Sequence, residues 1–424
     1  MKQFLNRLEQ VAERMRPRMY LWLALIVMAP RVVFVAVNPQ RSIYGNAPSL
    51  LVVADNLAAG RGCIGEGGTP DSYFNPGYPL FLAAFRWISP TNLLSIKLAQ
   101  VALDVGTALL LCWVFSNVCS TLTVLLIGIA VALHPLLLHF GNNINDEPLL
   151  MFLIVGSFAM LVRAVYHPID WRFGLAGASL GLAILTKSTP IFLPYLATGV
   201  LWLVTRRAGV QLRHWLVYLA ASIIVMLPWA CRNHAVFGHF SVNVRGIGTN
   251  LWWGSDPRIF TSYGKAQRSA ATQIQAEMTA KGVQPAPTNN AFDREQWGLR
   301  MAIQGYKDLL HHPAALVHVL ALKFTRTLYA TEDRPSAHLP LLLLQLPTLA
   351  LAVFGIIRLG KRRDTAPLSW LLVVYVGYYY LVVSVGMPMI RYFMPVIPLL
   401  LAAAAVGLVD LLSPTTKPAR SGPH

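Results

Sequence analysis

Asp146 and Glu147 are neighbouring acids at the head of an apolar run. The stretch leading to them, from His134-Pro135 through Asn142-Asn143-Ile144-Asn145 to Glu147-Pro148, is polar where its flanks are not. Two carboxylates at a membrane boundary can take a proton from a hydroxyl, or offer hard oxygens to a divalent cation such as Mg2+ or Mn2+. Acids in a first helical turn with Pro148 just inside also cap that helix, and both readings stay open. Cations stand at other span ends: Lys187 after Leu185-Thr186, Arg391 in Met389-Ile390-Arg391-Tyr392, and Arg232 in Leu227-Pro228-Trp229-Ala230-Cys231-Arg232-Asn233. A guanidinium beside Trp229 can snorkel from the membrane or grip a phosphate with two donors. Arg232, Lys187 and Arg391 at one level would make an anion site.

Two further motifs shape the surroundings. Tyr73-Phe74-Asn75-Pro76-Gly77-Tyr78-Pro79 is a stiff turn that drops the chain into an apolar segment. Gly248-Thr249-Asn250-Leu251-Trp252-Trp253-Gly254 follows Arg232-Asn233 by a short loop. Tyr73, Tyr78, Asn233, Asn250 and Trp253 are expected to line a substrate cavity. Ahead of the stiff turn, Asn46 to Leu57 reads as a short helix stopped by Gly60 and Gly62.

The elements that must position these residues are membrane spans. Hydrophobic residues make up 55% of the chain and charged ones only 12%, against about 25% charged in a typical soluble domain. Mean hydropathy is +0.52. Apolar stretches near 20–37, 93–115, 122–138, 148–165, 173–185, 191–204, 215–229, 339–357, 368–385 and 392–412 give about ten spans, each near the length a helix needs to cross a bilayer. The net charge of +17 does not point to nucleic acid, because the 35 Lys and Arg gather at span ends rather than along one groove. Clusters at Lys2 to Arg18, Arg206 to Arg213 and Arg358 to Arg363 read as positive-inside anchors, which puts both termini in the cytoplasm. The first span carries Arg31 and lacks a small-x-small cleavage site, so it reads as a retained anchor.

That topology leaves two outer pieces: 38–92 and the polar segment 231–338, the latter with a helix-like stretch from Lys265 to Lys281. The apolar helices Tyr78 to Ile88 and Pro313 to Tyr329 carry basic residues and read as interfacial. The expected division is 1–230 (transmembrane module with the 38–92 loop), 231–338 (outer segment) and 339–424 (last spans and cytoplasmic tail). The fold class is an all-α polytopic membrane protein. Four cysteines are too few for a disulfide framework, although Cys63 and Cys231 lie on one side and leave a bridge open.

The order of PGYPLFLA, a Glu-Pro-Leu re-entry, LPW-x-x-RN-x-x-x-FG, GTNLWWG and RY-x-x-P-x-x-P resembles the GT-C membrane glycosyltransferases. The bacterial relatives of protein O-mannosyltransferases and lipid A aminoarabinose transferases, family 39-like, are the nearest in pattern. The resemblance implies transfer of a sugar, with inversion, from a polyprenyl-phosphate-linked donor to a lipid, polysaccharide or protein acceptor. It places the site on the outer face of the bacterial cytoplasmic membrane, in contact with the bilayer, and implies no nucleotide-sugar site. It assigns an acid to the second outer loop, which matches Glu147 with Asp146 beside it. An Asp is expected in the first outer loop, where this chain has Asn46. Asn is no base at neutral pH, so the proton falls to another acid such as Asp55, Asp71 or Asp146, or catalysis rests on orientation and phosphate departure. The resemblance gives Arg232, with Lys187 or Arg391, the departing phosphate. Two other classes remain: a secondary transporter or lipid-linked sugar flippase, and a non-catalytic accessory subunit, which Asn46 alone would favour.

Overall fold

A computed structural model describes the chain except residues 1, 38–44, 72, 90–91, 207–208, 243–245, 281, 285–290, 332–333 and 413–424. The cytoplasmic tail, Arg207 and Lys281 of the sequence reading lie outside the described residues. Among those described there is no strand, and one isolated antiparallel bridge joins Ile64 and Pro70.

Helices α1 (Lys2–Met15) and α2 (Met19–Val37) lead into two short ones, α3 (Ala47–Ala58) and α4 (Gly77–Ile88). Next come α5 (Leu94–Ser116), α6 (Thr121–Leu133), α7 (Pro135–Gly141), α8 (Glu147–Tyr166), α9 (Asp170–Thr186), α10 (Leu193–Thr205) and α11 (Leu212–Phe237). A polar layer follows: α12 (Ile247–Ser255), α13 (Pro257–Phe260), α14 (Gly264–Ala280), α15 (Ala291–Leu310) and α16 (Pro313–Arg326). The chain closes with α17 (His338–Gly360), α18 (Ala366–Val385), α19 (Ile390–Phe393) and α20 (Ile397–Leu412).

Seven of these helices are long and apolar enough to cross a membrane, or up to eight if α6 and α7, bent by 55° at Pro135, form one broken span. The protein is therefore a multi-pass membrane protein. The expected count of ten is not reached by length, because α9 has 17 residues and α10 has 13. α4 and α16, with 12 and 14 residues, are too short to cross, in keeping with an interfacial position. α11 runs further than the apolar pattern foretold. It ends only at Gly238, whose φ of +75° is the left-handed cap that glycine accepts without strain.

Small residues set the helix contacts, as expected where apolar burial alone gives no drive for association. Gly177 and Gly181 of α9 lie on the backbone carbonyls of Tyr218 and Ser222 in α11, and Gly355 of α17 interlocks with Gly407 of α20. A side chain at any of these would collide with backbone. In the polar layer, Trp252, Ile259, Ala271, Ile274, Trp297 and Met301 make a separate core. Glu295 of α15 caps α12: it accepts from Gly246 N at 2.8 Å, from Gly248 N, and from the Thr249 hydroxyl at 3.5 Å. These supply partners for donors that a helix start leaves open.

Candidate active site

The acidic turn sits where α7 ends and α8 begins. Three asparagine amides there take up the last carbonyls of α7: Asn142 Nδ2 donates to Leu138 O (2.6 Å), Asn143 Nδ2 to His139 O (2.6 Å) and Asn145 Nδ2 to Phe140 O (3.3 Å). Asn145 Oδ1 also accepts from Glu147 N at 3.2 Å. The Asn-rich run is thus a cap that spares buried helix-end carbonyls from going unpaired.

Glu147 is fully buried, and its carboxylate is shared by two cations. Oε1 accepts from Lys187 Nζ at 2.9 Å and from Arg391 Nε at 2.6 Å, and Arg391 Nη2 lies 3.5 Å from Oε2. Lys187 Nζ also donates to Asp146 Oδ1 at 3.0 Å. Burial, then the neighbouring Glu147, raises the Asp146 carboxyl above the ordinary aspartate value. Burial works against the charge on Lys187, but the two carboxylates outweigh it and its pKa rises. Lys187 and Arg391 therefore converge as expected, with carboxylates already between them.

A second locus lies on the α3 side. Asn46 at the head of α3, Ser49 and Val53 on it, Gly65, Glu66 and Asp71 of the loop, and Tyr73 and Phe74 line a cleft of about 300 Å³. Ser49 Oγ donates to Glu66 Oε1 at 2.8 Å, and Asp71 Oδ2 accepts from Tyr73 N (3.2 Å) and Phe74 N (2.8 Å). Arg232 straps the wall: Nη1 donates to Asp71 O and Nη2 to Cys63 O, both at 3.2 Å. Its guanidinium lies 4.6 Å from the Trp229 ring centre and 5.1 Å from that of Phe237, a cation–π sandwich. Nη1 also donates to Asn233 Oδ1 at 3.0 Å.

The stiff turn joins the two loci. Asn75 Nδ2 donates to Ile184 O (2.8 Å) and Ser188 Oγ (2.9 Å) on either side of Lys187. Gly77 presses on the Leu185–Thr186 backbone so closely that any Cβ would collide. Asp71 thus stands four residues of chain from a side chain that holds the backbone before Lys187 and the hydroxyl after it.

Of the residues expected to line a substrate cavity, Tyr73 lines this cleft. Tyr78 is 1% exposed, and its hydroxyl donates to Gln100 Oε1 at 2.7 Å, so it is a core residue. Asn233 is also buried; its amide holds Ser241 O at 2.8 Å because α11 continues past it to Phe237. Asn250 and Trp253 lie on α12 and are not among the residues lining the cleft, and Trp253 packs against the core of the polar layer. Asp55 forms an ion pair with Arg86 at 2.5 Å and does not line the cleft. Glu66 does line it and went unread, although an acid inside Gly65-Glu66-Gly67-Gly68 marks a shaped loop.

Asp146 and Glu147 as placed do not fit a divalent cation, since Lys187 Nζ lies within 3.0 Å of an oxygen of each. Among the described residues no group of three or more His, Cys, Asp or Glu could hold a metal. All four cysteines are free thiols, so no Cys63–Cys231 bridge forms. Burial, then Asp71, pushes the Cys63 thiol up to about 11.

Residues 77–274 match glycosyltransferase family 87, in keeping with the GT-C class that the motif order pointed to. No sequence among the curated proteins matches. Among solved structures, the archaeal oligosaccharyltransferase AglB from Archaeoglobus fulgidus, in complex with an inhibitory peptide and a dolichol-phosphate, is similar over 96% of this chain. The identity is 13% and the TM-score 0.57. The chain spans about half of AglB, 53% of its length. ArnT from Cupriavidus metallidurans, bound to undecaprenyl phosphate, is 14% identical over 92% of this chain and 77% of its own, with a TM-score of 0.42. The chain has the fold of the GT-C membrane glycosyltransferases, and residues 77–274 match a glycosyltransferase family.

Proposed function

We propose that the chain transfers a hexosyl or pentosyl group from a polyprenyl-phosphate-linked donor to a glycan, lipid or protein acceptor, at the outer face of a bacterial cytoplasmic membrane. The observation that carries this reading is the cleft: a pocket with Asp71 on its wall, one short turn from the segment that carries the partly buried cation Lys187, which with Arg391 holds Glu147. The family match over residues 77–274 supports it.

The acceptor hydroxyl attacks the anomeric carbon as the bond to the donor phosphate breaks, with inversion, and its proton passes to a carboxylate. Asp71 suits that role better than Glu147. Asp71 lines an open cleft, whereas Glu147 is buried with its carboxylate already engaged by two cations. Asn46, across the same cleft, can orient the hydroxyl through its amide. Asp146, Glu147, Lys187 and Arg391 sum to zero charge when both acids are ionised. Because the Asp146 carboxyl is raised, the group readily gains a proton and a net positive charge, which suits a departing lipid phosphate. Arg232 acts in this reading as the strap that positions Asp71 rather than as the phosphate grip. The prenyl tail lies along the apolar spans, so the bilayer delivers the donor.

The test uses purified protein in nanodiscs with a panel of labelled undecaprenyl-phosphate hexoses and pentoses, and reads release of free undecaprenyl phosphate. Asp71→Asn is expected to lower the rate by about 10²-fold or more. Transfer left intact by both Asp71→Asn and Glu147→Gln would overturn the site. Sugar-independent flux of labelled lipid in liposomes, without transfer, would instead mark a transporter.

A further inference from the structure

Arg31 and Asp104 are charges inside apolar spans, where an ionised side chain is costly and calls for a reason. Both side chains are fully buried, and Arg31 Nε donates to Asp104 Oδ2 at 2.6 Å. Mutual neutralisation explains the pair's charge but not the rest of its geometry.

The other nitrogens of Arg31 point at the break between α6 and α7. Nη2 donates to Val131 O and Nη1 to Ala132 O, both at 3.3 Å, while Nη1 also holds Val27 O of its own helix at 2.9 Å. Pro135 has no N–H to give to Val131 O, and the extended backbone at His134 (ψ 121°) interrupts the helical pattern at Ala132 O. Arg31 thus replaces the backbone donors that the break removes, as a freed carbonyl in an apolar span requires.

Asp104 packs against the opposite end of α7, and Gln100, one turn before it, holds that end by hydrogen bonds. Gly141, the last residue of α7, lies directly on the Asp104 carboxylate, where any Cβ would clash. Gln100 Nε2 donates to Gly141 O at 3.1 Å and to Asn143 O at 2.7 Å. The acidic turn begins one residue later.

We infer that Arg31 and Asp104 are positioning residues: together they latch both ends of α7 and so set Asp146 and Glu147 against Lys187 and Arg391. The effect on transfer rests on the function proposed above; the latch itself does not.

The experiment replaces the pair jointly, Arg31→Met with Asp104→Leu, so that no charge is stranded, and compares it with Arg31→Lys, which keeps the charge but not the fork of donors. Hydrogen exchange of the full chain in nanodiscs reads the latch without any substrate. Both variants are expected to speed amide exchange across 134–147 by about tenfold or more, while α17 and α20 keep their protection. With undecaprenyl-phosphate sugars, kcat falls by about tenfold while KM stays within about twofold, the signature of a displaced catalytic group. Exchange across 134–147 that stays at the wild-type rate in the double variant would overturn the latch, and so would exchange that rises alike in every span. Faster exchange with unchanged kcat would overturn its bearing on the site. Absence of transfer by the wild-type chain would count against the proposed function and leave the exchange result to decide the latch.

Discussion

Lys187 and Lys323 are both lysines drawn away from water, one at the end of the apolar bundle and one beneath the polar helical layer, and their partners differ in kind. Lys187 faces two carboxylates, Asp146 at 3.0 Å and Glu147 at 2.9 Å. Lys323 of α16 is fully buried and donates to Gly254 O (2.7 Å), the Tyr306 hydroxyl (2.7 Å) and Val385 O (2.5 Å), all neutral. Carboxylates hold the pKa of Lys187 up, whereas burial lowers that of Lys323 to about 7. The first arrangement fixes a charge where a reaction needs one. The second ties α12, α15, α16 and the end of α18 together, and the segment it secures leads to Arg391. Gly254 packs so tightly on Gly386 O that the polar layer and the bundle meet backbone to backbone there.

The largest effect should come from removing the shared carboxylate. Glu147→Ala removes a fully buried carboxylate from two partly exposed cations at once, Lys187 at 18% and Arg391 at 21%, so the roughly 3–5 kcal/mol that breaking a fully buried pair costs is the upper bound here. Glu147→Gln keeps the shape and can still accept hydrogen bonds, so it should cost less. Chemical unfolding of the detergent-solubilised protein measures both. A Glu147→Ala variant as stable as wild type would mean that Arg391 and Lys187 do not depend on it, and the contrast with Lys323 would lose its footing.

Charged residues at the ends of apolar runs were legible because their cost makes them conspicuous, and Glu147, Asp146, Lys187 and Arg391 were found that way. That Arg391 and Glu147 meet, 244 residues apart, is a tertiary fact to which no local pattern bears. The stretch 122–138 was read as one span through Pro135; instead the helix breaks there and resumes after a 55° bend, with Arg31 supplying the donors the proline lacks. Arg232 was read as emerging at a boundary, but Pro228 did not stop α11, which runs on to Phe237. Tyr78, read at the junction of the stiff turn and the interfacial helix and expected in the substrate cavity, instead has its hydroxyl satisfied in the core by Gln100. Hydropathy gave no helix lengths, since it reports apolarity and not where a helix stops, so it did not foretell that α9 and α10 have only 17 and 13 residues.

Lys323 gives the next largest effect, and its sign is opposite in kind. Its folded pKa, about 7, lies below the ordinary lysine value of 10.5, so between these pH values the unfolded chain binds more protons than the folded one. Stability therefore rises with pH across that window by on the order of 4 kcal/mol, and the full penalty for burying the charge is present below pH 7. Lys323→Met is expected to abolish that rise. Unfolding measured at intervals from pH 7 to pH 10.5 in both proteins tests it. A wild-type curve that is flat, or that falls over this range, would show that some unseen anion holds the charge, and Lys323 would then resemble Lys187.

Arg258 supplies the sharpest control, because it repeats the partner set of Lys187 without the burial. It lies 2.9 Å from Asp256 and 3.0 Å from Glu277, and both of its terminal nitrogens engage the Glu277 carboxylate. Its side chain is 49% exposed, whereas that of Lys187 is 18% exposed and that of Glu147 is not exposed at all. In water-rich surroundings such a pair contributes only about 0.2–1 kcal/mol, even in good geometry, and salt screens it. Arg258→Ala should therefore lower stability by about 1 kcal/mol at most, with the difference shrinking between about 0.05 M and about 0.5 M salt. A loss as large as that of Glu147→Ala, unmoved by salt, would show that geometry rather than burial decides what a two-carboxylate lysine or arginine is worth in this protein.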